Sequence, residues 1–229
     1  MGMLFSRIKS APAEGLLLFC TLVTMVYSLN FMFASACYVT GGEGCFSLLN
    51  NGTTSADAAW GNGAPEFAFN GILMFGILMS NLLILNEGAK GKWTIMIPVL
   101  IGFVVGTVVL WTMWVENGSS EAPKFVLPIV TLAYAAAYYL LMGEDEVNEG
   151  MSDFKIGLGV KDPVTIVALL FVIATGAFYV VRQLVNPESV IEAINGVNGA
   201  DGLGAPAKVT VAFTGALLLP YVLWATLIL

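Results

Sequence analysis

The chain has 229 residues, of which 58% are hydrophobic and only 11% are charged, and its formal net charge is −7 at pH 7. Soluble domains carry about 25% charged residues. This composition therefore excludes a water-soluble globular domain and indicates a protein surrounded by a lipid bilayer. The acidic balance excludes nucleic acid as a partner, because phosphate backbones require clustered lysines and arginines. Histidine is absent, which removes the commonest metal ligand and general base.

Six apolar stretches of about 18–23 residues follow one another, and each can cross a hydrocarbon core of about 30 Å as a helix. Five contain no Asp, Glu, Lys or Arg, and the fifth contains only Arg182, near its end. We therefore predict an all-α, polytopic bundle in one domain covering residues 1–229. The predicted transmembrane helices cover residues 15–37, 67–86, 93–115, 125–142, 164–185 and 209–229.

The start of the chain allows a second interpretation. The first apolar stretch ends with Ala34-Ser35-Ala36, which matches the A-x-A pattern of a cleaved signal peptide. Cleavage there would leave five spans and place Cys37 at a new N-terminus. The apolar stretch exceeds the 7–15 residues typical of a signal peptide, which favours a retained first helix.

Cys37, at the end of the first span, and Cys45 are eight residues apart and bracket a polar loop. A structural disulfide between them would close a small loop, and two unpaired thiols are the alternative. Orientation follows from Lys and Arg, which are more frequent in cytoplasmic loops. Six of the nine fall on the side of the N-terminus, so we expect both termini in the cytoplasm and the cysteine loop outside.

The connectors carry helix-start signals. Asp162-Pro163 predicts an N-cap followed by proline at the first helical position. Asn186-Pro187 does the same for a short surface helix that Asn195-Gly196 would end. An acidic loop lies between the fourth and fifth spans; we expect it to be solvated rather than to bind a cation, because it lacks the Asp/Asn alternation and fixed glycine of a calcium loop.

Two patterns concern helix packing and symmetry. Gly102 and Gly106 form a G-x-x-x-G motif, which lets two helix backbones approach closely. The first and fourth spans both contain Val-Thr-x-x-Tyr, ending at Tyr27 and Tyr134, and the third and sixth spans both contain Val-Leu-Trp. Halves of three spans have opposite orientation, so these matches suggest the 3+3 inverted repeat of many transporters. Chance similarity within a narrow apolar alphabet is the alternative.

The spans exclude several classes of function. Intramembrane enzymes and ion pumps usually carry ionisable residues at depth, and these spans carry none, so we predict no catalytic residue, no metal site, no cofactor and no enzyme activity. The remaining intramembrane polar groups are uncharged. Seven of them are the candidate solute-binding or pore residues: Thr24, Tyr27, Asn30, Asn70, Thr131, Tyr134 and Tyr138.

The sequence therefore predicts a passive channel or facilitative transporter for a small neutral or weakly polar solute. The alternative is a non-catalytic structural or assembly subunit of a larger membrane protein complex. Small-residue helix faces allow either a homo-oligomer or partner membrane subunits.

Overall fold

A computed structural model of the protein describes residues 7–35, 63–113, 122–155, 159–195 and 205–229. These ranges contain seven α-helices and no strand, and six of the helices are long and apolar enough to cross a membrane. The prediction of an all-α, six-span membrane protein is confirmed. The helices are α1 (Ala11–Phe33), α2 (Gly63–Glu87), α3 (Trp93–Met113), α4 (Ala122–Leu141), α5 (Pro163–Val185), α6 (Pro187–Asn195) and α7 (Ala205–Ile228).

The first two helices begin four residues before the predicted spans. Glu14 and Glu66 therefore lie in the first turns of α1 and α2, although the predicted spans excluded them. A helix N-terminus carries a partial positive charge, so carboxylates are favourable there even where hydropathy alone would end the span. α1 ends at Phe33, short of the predicted residue 37, and the N–H of Ala34 donates to the carbonyl of Asn30.

The predicted start of α5 is confirmed. Asp162 is extended and caps the helix, accepting hydrogen bonds from the backbone N–H and the hydroxyl of Thr165 at 2.7 and 2.6 Å. Pro163 follows in the first turn, where its missing N–H removes no helical bond. The predicted surface helix is also present as α6, and Asn186 caps it by accepting from the N–H of Ser189.

We expect Asp162→Ala to lower the melting temperature by about 2–4 °C at pH 7. The hydrogen bonds from the Thr165 hydroxyl and N–H hold the pKa of the Asp162 carboxyl below its ordinary value of 3.8. A lowered native pKa adds stability above the ordinary value, and that stability is lost as pH falls through the native pKa. The difference between wild type and variant should therefore vanish in acid, as measured by thermal unfolding in detergent.

Asp153→Ala removes an exposed carboxylate from the loop before α5 and is the matched control. It should leave the melting temperature nearly unchanged across the same pH range. A pH-independent loss in Asp162→Ala would contradict the role of the ionised cap.

Five of the long helices close into a ring. α1 packs against α2 and α4, α3 packs against α4 and α7, and α2 completes the ring by packing against α7. α5 lies outside this ring, where the described helices that contact it extensively are α7 and α6. The main buried cluster fills the ring interior with side chains from all five of its helices, including Leu17, Ile77, Met96, Tyr134 and Leu217.

Glycines set the closest helix contacts in the ring. An ideal Cβ built on Gly102 would lie 2.5 Å from the Pro220 ring of α7, and one built on Gly106 would lie 3.2 Å from the Phe213 ring of α7 and 3.1 Å from Leu127 of α4. The G-x-x-x-G motif thus serves packing within the chain.

The inverted repeat is not confirmed. Under that scheme the pair α1–α2 would correspond to α4–α5, and α2–α3 would correspond to α5–α7. Among the described residues α1 and α2 pack extensively while α4 and α5 do not, and α5 and α7 pack extensively while α2 and α3 do not. The short sequence matches therefore have no counterpart in helix packing.

One end of the bundle, called here the N-terminal face, holds the start of α1, the α2–α3 turn, the α4–α5 loop and the C-terminus. Asp145 is buried there, and its carboxylate accepts the backbone N–H groups of Lys9 and Ser10 at 2.8 and 3.0 Å. The turn residue Lys90 pairs with Glu146 and Glu149 at 3.0 and 3.2 Å. Most carboxylates of the acidic loop are exposed, as expected. Asp145 is the exception, and its hydrogen bonds hold the loop against the start of the chain.

Candidate functional site

The ring interior contains four buried polar side chains without hydrogen-bond partners among the described residues. They are Tyr27, Asn70, Asn81 and Tyr134, of which both asparagines and Tyr134 are 0% exposed. A buried donor or acceptor that lacks a partner destabilises a protein by about 1–3 kcal/mol, and native structures contain few of them. Their concentration in one interior makes this region the candidate functional site.

Both asparagines lie on the face of α2 that points into the ring. They are eleven residues apart, which is three helical turns and about 16 Å along the axis. Leu73, Met74 and Ile77 occupy the same face between them and are buried. The interior of the ring therefore has two polar levels separated by an apolar one.

The first polar level contains Tyr27 and Asn70. The hydroxyl of Ser28 donates to the carbonyl of Gly71 at 2.9 Å, which fixes the register between α1 and α2. Tyr27 precedes Ser28 and Asn70 precedes Gly71, so the two unpartnered side chains lie at nearly the same depth. The Tyr27 ring also packs edge to face on Phe31, with ring centroids 5.8 Å apart.

The second polar level contains Asn81 and Tyr134. Cys20 lies against α4, with its Sγ 3.7 Å from the carbonyl of Val130, one turn from Tyr134. Tyr134 packs edge to face on Phe103 of α3, with ring centroids 5.5 Å apart. The register of α1 and α2 places Asn81 within about one turn of Cys20 in depth, so Asn81 and Tyr134 occupy neighbouring levels.

The other predicted site residues are placed differently. Thr24 is buried in α1, and Asn30 is half-buried near the end of that helix. The Thr131 hydroxyl donates to the carbonyl of Leu127 at 2.8 Å and lies 3.1 Å from the Thr107 hydroxyl, so it belongs to the α3–α4 contact. The Tyr138 hydroxyl donates to the side chain of Asn148 at the N-terminal face.

Asn81 is the interior residue that the predicted site set omitted. Its spacing of eleven residues from Asn70, with apolar residues at the intervening turns, is the pattern that would have identified it. The predicted disulfide pair, Cys37 and Cys45, lies outside the described residues. Cys20 is a buried free thiol, and the described ranges contain no group of three His, Cys, Asp or Glu side chains that could hold a metal ion.

The interior groups can each donate and accept hydrogen bonds without carrying charge, since amides and phenols do both. Such groups can bind a neutral polar molecule by exchanging hydrogen bonds with it.

Comparisons with protein-family models, with curated proteins and with solved structures give no match for this chain.

Proposed function

We propose that this protein is a facilitative transporter for a small neutral or weakly polar solute. The observation that carries the proposal is the set of four unpartnered polar side chains inside a ring of membrane-spanning helices. In hydrocarbon or protein, an unpartnered amide is unfavourable, and a polar solute passing through the ring would satisfy it. A neutral solute fits best because all four groups are uncharged.

Burial favours a carrier over a permanently open channel. The hydroxyl oxygens of Tyr27 and Tyr134, and both amides of Asn70 and Asn81, are shielded from solvent in this conformation. A solute would reach them only after the helices of the ring move apart, as in carriers that expose a central site to one side at a time. The proposal involves no chemical conversion of the solute, so the protein would not be an enzyme.

Flux into liposomes tests the proposal. Purified protein should raise the permeability to at least one small neutral solute, such as urea or glycerol, above that of empty liposomes. Tyr134→Phe removes one unpartnered hydroxyl and should reduce that flux about tenfold, the effect of losing roughly 1.4 kcal/mol of interaction. Equal permeability with and without protein, across neutral solutes and monovalent ions, would refute the function.

Tyr139→Phe is the matched control, because it makes the same change on the same helix at a side chain that is 72% exposed. It should leave the flux unchanged. Loss of flux in both variants would mean that the effect does not arise in the interior.

The second candidate function is a structural or assembly subunit of a larger membrane complex. α5 favours it, because this helix lies outside the ring and exposes large apolar side chains such as Val164, Val167 and Phe171. A partner helix, or a second copy of the chain, would cover that face. Mild extraction followed by mass spectrometry separates the candidates, since a subunit would carry a stoichiometric partner.

We also propose that the N-terminal face lies in the cytoplasm. Arg7, Lys9, Lys90 and Lys92 are all at this end of the bundle, in agreement with the excess of positive charge in cytoplasmic loops. A cysteine introduced at Lys90 should resist a membrane-impermeant thiol reagent in intact cells. Rapid labelling there would reverse the orientation.

A further inference from the structure

Glu66 is a carboxylate inside an apolar helix that the proposed transport does not use. It lies in the first turn of α2, within the 23-residue segment that is apolar enough to span a membrane. Its Oε1 is hydrogen-bonded to the hydroxyl of Thr214 on α7, and Thr214 is 0% exposed. An ionisable residue in such a segment marks a functional site by default, because a charge there is costly to keep.

The Thr214 hydroxyl can form a hydrogen bond with Glu66 whether the carboxyl group is ionised or protonated. Its oxygen also lies 3.0 Å from the carbonyl of Thr210, one turn back on α7. A hydroxyl has one proton and can accept as well as donate. When Glu66 is ionised, Thr214 donates to it; when Glu66 is protonated, Glu66 donates to Thr214, which turns its own proton to Thr210.

Asn70 is an uncharged polar side chain on the same helix that can serve Glu66 as a second hydrogen-bonding group. It follows Glu66 by four residues, so the two side chains lie on one face, and helical side chains lean toward the helix N-terminus, which here is the turn of Glu66. The Asn70 amide is 0% exposed, and neither its nitrogen nor its oxygen has a partner among the described residues. An amide can donate to a carboxylate or accept from a carboxyl group, so it too suits both states.

No cation neutralises Glu66 in the described part of the chain. α1 and α7 pack against α2, and the other titratable side chains on these three helices are Glu14, Cys20, Tyr27, Glu87, Lys208 and Tyr221. Lys208 is the cation among them, and its ammonium group is paired with Glu188. Glu14 and Glu87 lie at the opposite end of the bundle from Glu66. The partial positive charge of the α2 N-terminus offsets only part of the charge on Glu66, so a proton is the full counter-charge open to it in the described part of the chain.

We propose that Glu66, Thr214 and Asn70 form a proton-binding site, at the end of the bundle where α2 begins. Glu66 takes up one proton, Thr214 relays the hydrogen bond to the backbone of α7, and Asn70 holds the carboxyl group from the side of the ring interior. The site links the charge near the first polar level to the pH on that side of the membrane. It goes beyond the proposed transport and does not depend on it, since proton binding is measurable without any solute.

Infrared titration of the purified full-length protein tests the site. As pH falls, the carbonyl band of a protonated carboxyl should appear, with the small shift on deuteration that marks an exchangeable proton. The other Asp and Glu side chains contribute to this band at the frequency of water-exposed carboxyl groups. The higher-frequency component, which marks a carboxyl group shielded from bulk water, should be missing from the Glu66→Gln spectrum and retained in Glu87→Gln, which changes a glutamate at the other end of the same helix. A titration identical in wild type and Glu66→Gln would overturn the proposal.

Thr214→Val keeps Glu66 and the side-chain shape while removing the hydroxyl, so it tests the relay even where Glu66→Gln fails to fold. The midpoint of the band should move by about one pH unit or more, as expected for a lost hydrogen bond to a charged group. Thr226→Val is the matched control, since its hydroxyl also donates one turn back, at 2.8 Å, but to Val222 alone.

An unmoved midpoint in Thr214→Val would overturn the relay. A band that depends on sodium or potassium at fixed pH, and only when Glu66 is present, would assign the site to a metal cation and overturn the proton assignment.

Discussion

Asn81→Leu should stabilise the folded protein while abolishing solute flux. Asn81 is 0% exposed, and neither of its amide atoms has a partner among the described residues. Leucine has the same branched connectivity as asparagine, although it is larger, and it brings no polar atom into the ring, so the free energy of unfolding should rise by about 1–3 kcal/mol. The same change removes a hydrogen-bonding group from the second polar level, so flux should fall to that of empty liposomes. Chemical denaturation in detergent and liposome flux measure the two effects.

Asn86→Leu is the matched control, because Asn86 is exposed near the end of the same helix. It should change neither quantity appreciably. If Asn81→Leu lowered stability and left flux unaltered, Asn81 would be a structural hydrogen-bonding residue and the second polar level would not be a site. Higher stability with unaltered flux would favour the subunit function, in which unpartnered groups have no transport role.

The fold was predictable from hydropathy because the membrane imposes one rule on every span. Backbone groups must be satisfied within a helix, so long apolar stretches become helices whatever their neighbours are. Helix ends were less predictable: Glu14 and Glu66 extend α1 and α2 because a carboxylate is favourable in a first turn, a term that hydropathy ignores. The N-caps of α5 and α6 were predictable because Asp162 and Asn186 bond to backbone N–H groups only three residues further along the chain.

The candidate site was predictable only in part. Uncharged polar residues in a span predict either helix contacts or a site, and only packing distinguishes them. Tyr134 and Thr131 lie one turn apart on α4, yet Tyr134 is unpartnered in the interior while Thr131 bonds to its own helix. The arrangement of α5 outside the ring was likewise hidden, because its composition resembles that of the other spans.

Stability and transport should both fall in Gly71→Ala. An ideal Cβ at this position would lie 2.7 Å from the backbone nitrogen of Met32 and 2.9 Å from the carbonyl oxygen of Ser28. Backbone atoms cannot turn away as a flexible side chain can, so α1 and α2 must separate. Such overpacking reduces the free energy of unfolding by about 1–3 kcal/mol. The separation should also weaken the bond from Ser28 to Gly71 that holds Tyr27 and Asn70 at one depth, so flux should fall too.

Gly15→Ala provides a control of opposite sign. An added Cβ at Gly15 meets nothing within 4 Å, and the position is an exposed turn of α1. Alanine is favoured over glycine in a helix by up to about 1 kcal/mol, so this variant should be slightly more stable and should transport normally. The two substitutions differ only in what the new methyl group contacts. Equal responses of Gly71→Ala and Gly15→Ala would mean that the close approach of α1 and α2 does not determine the geometry of the first polar level.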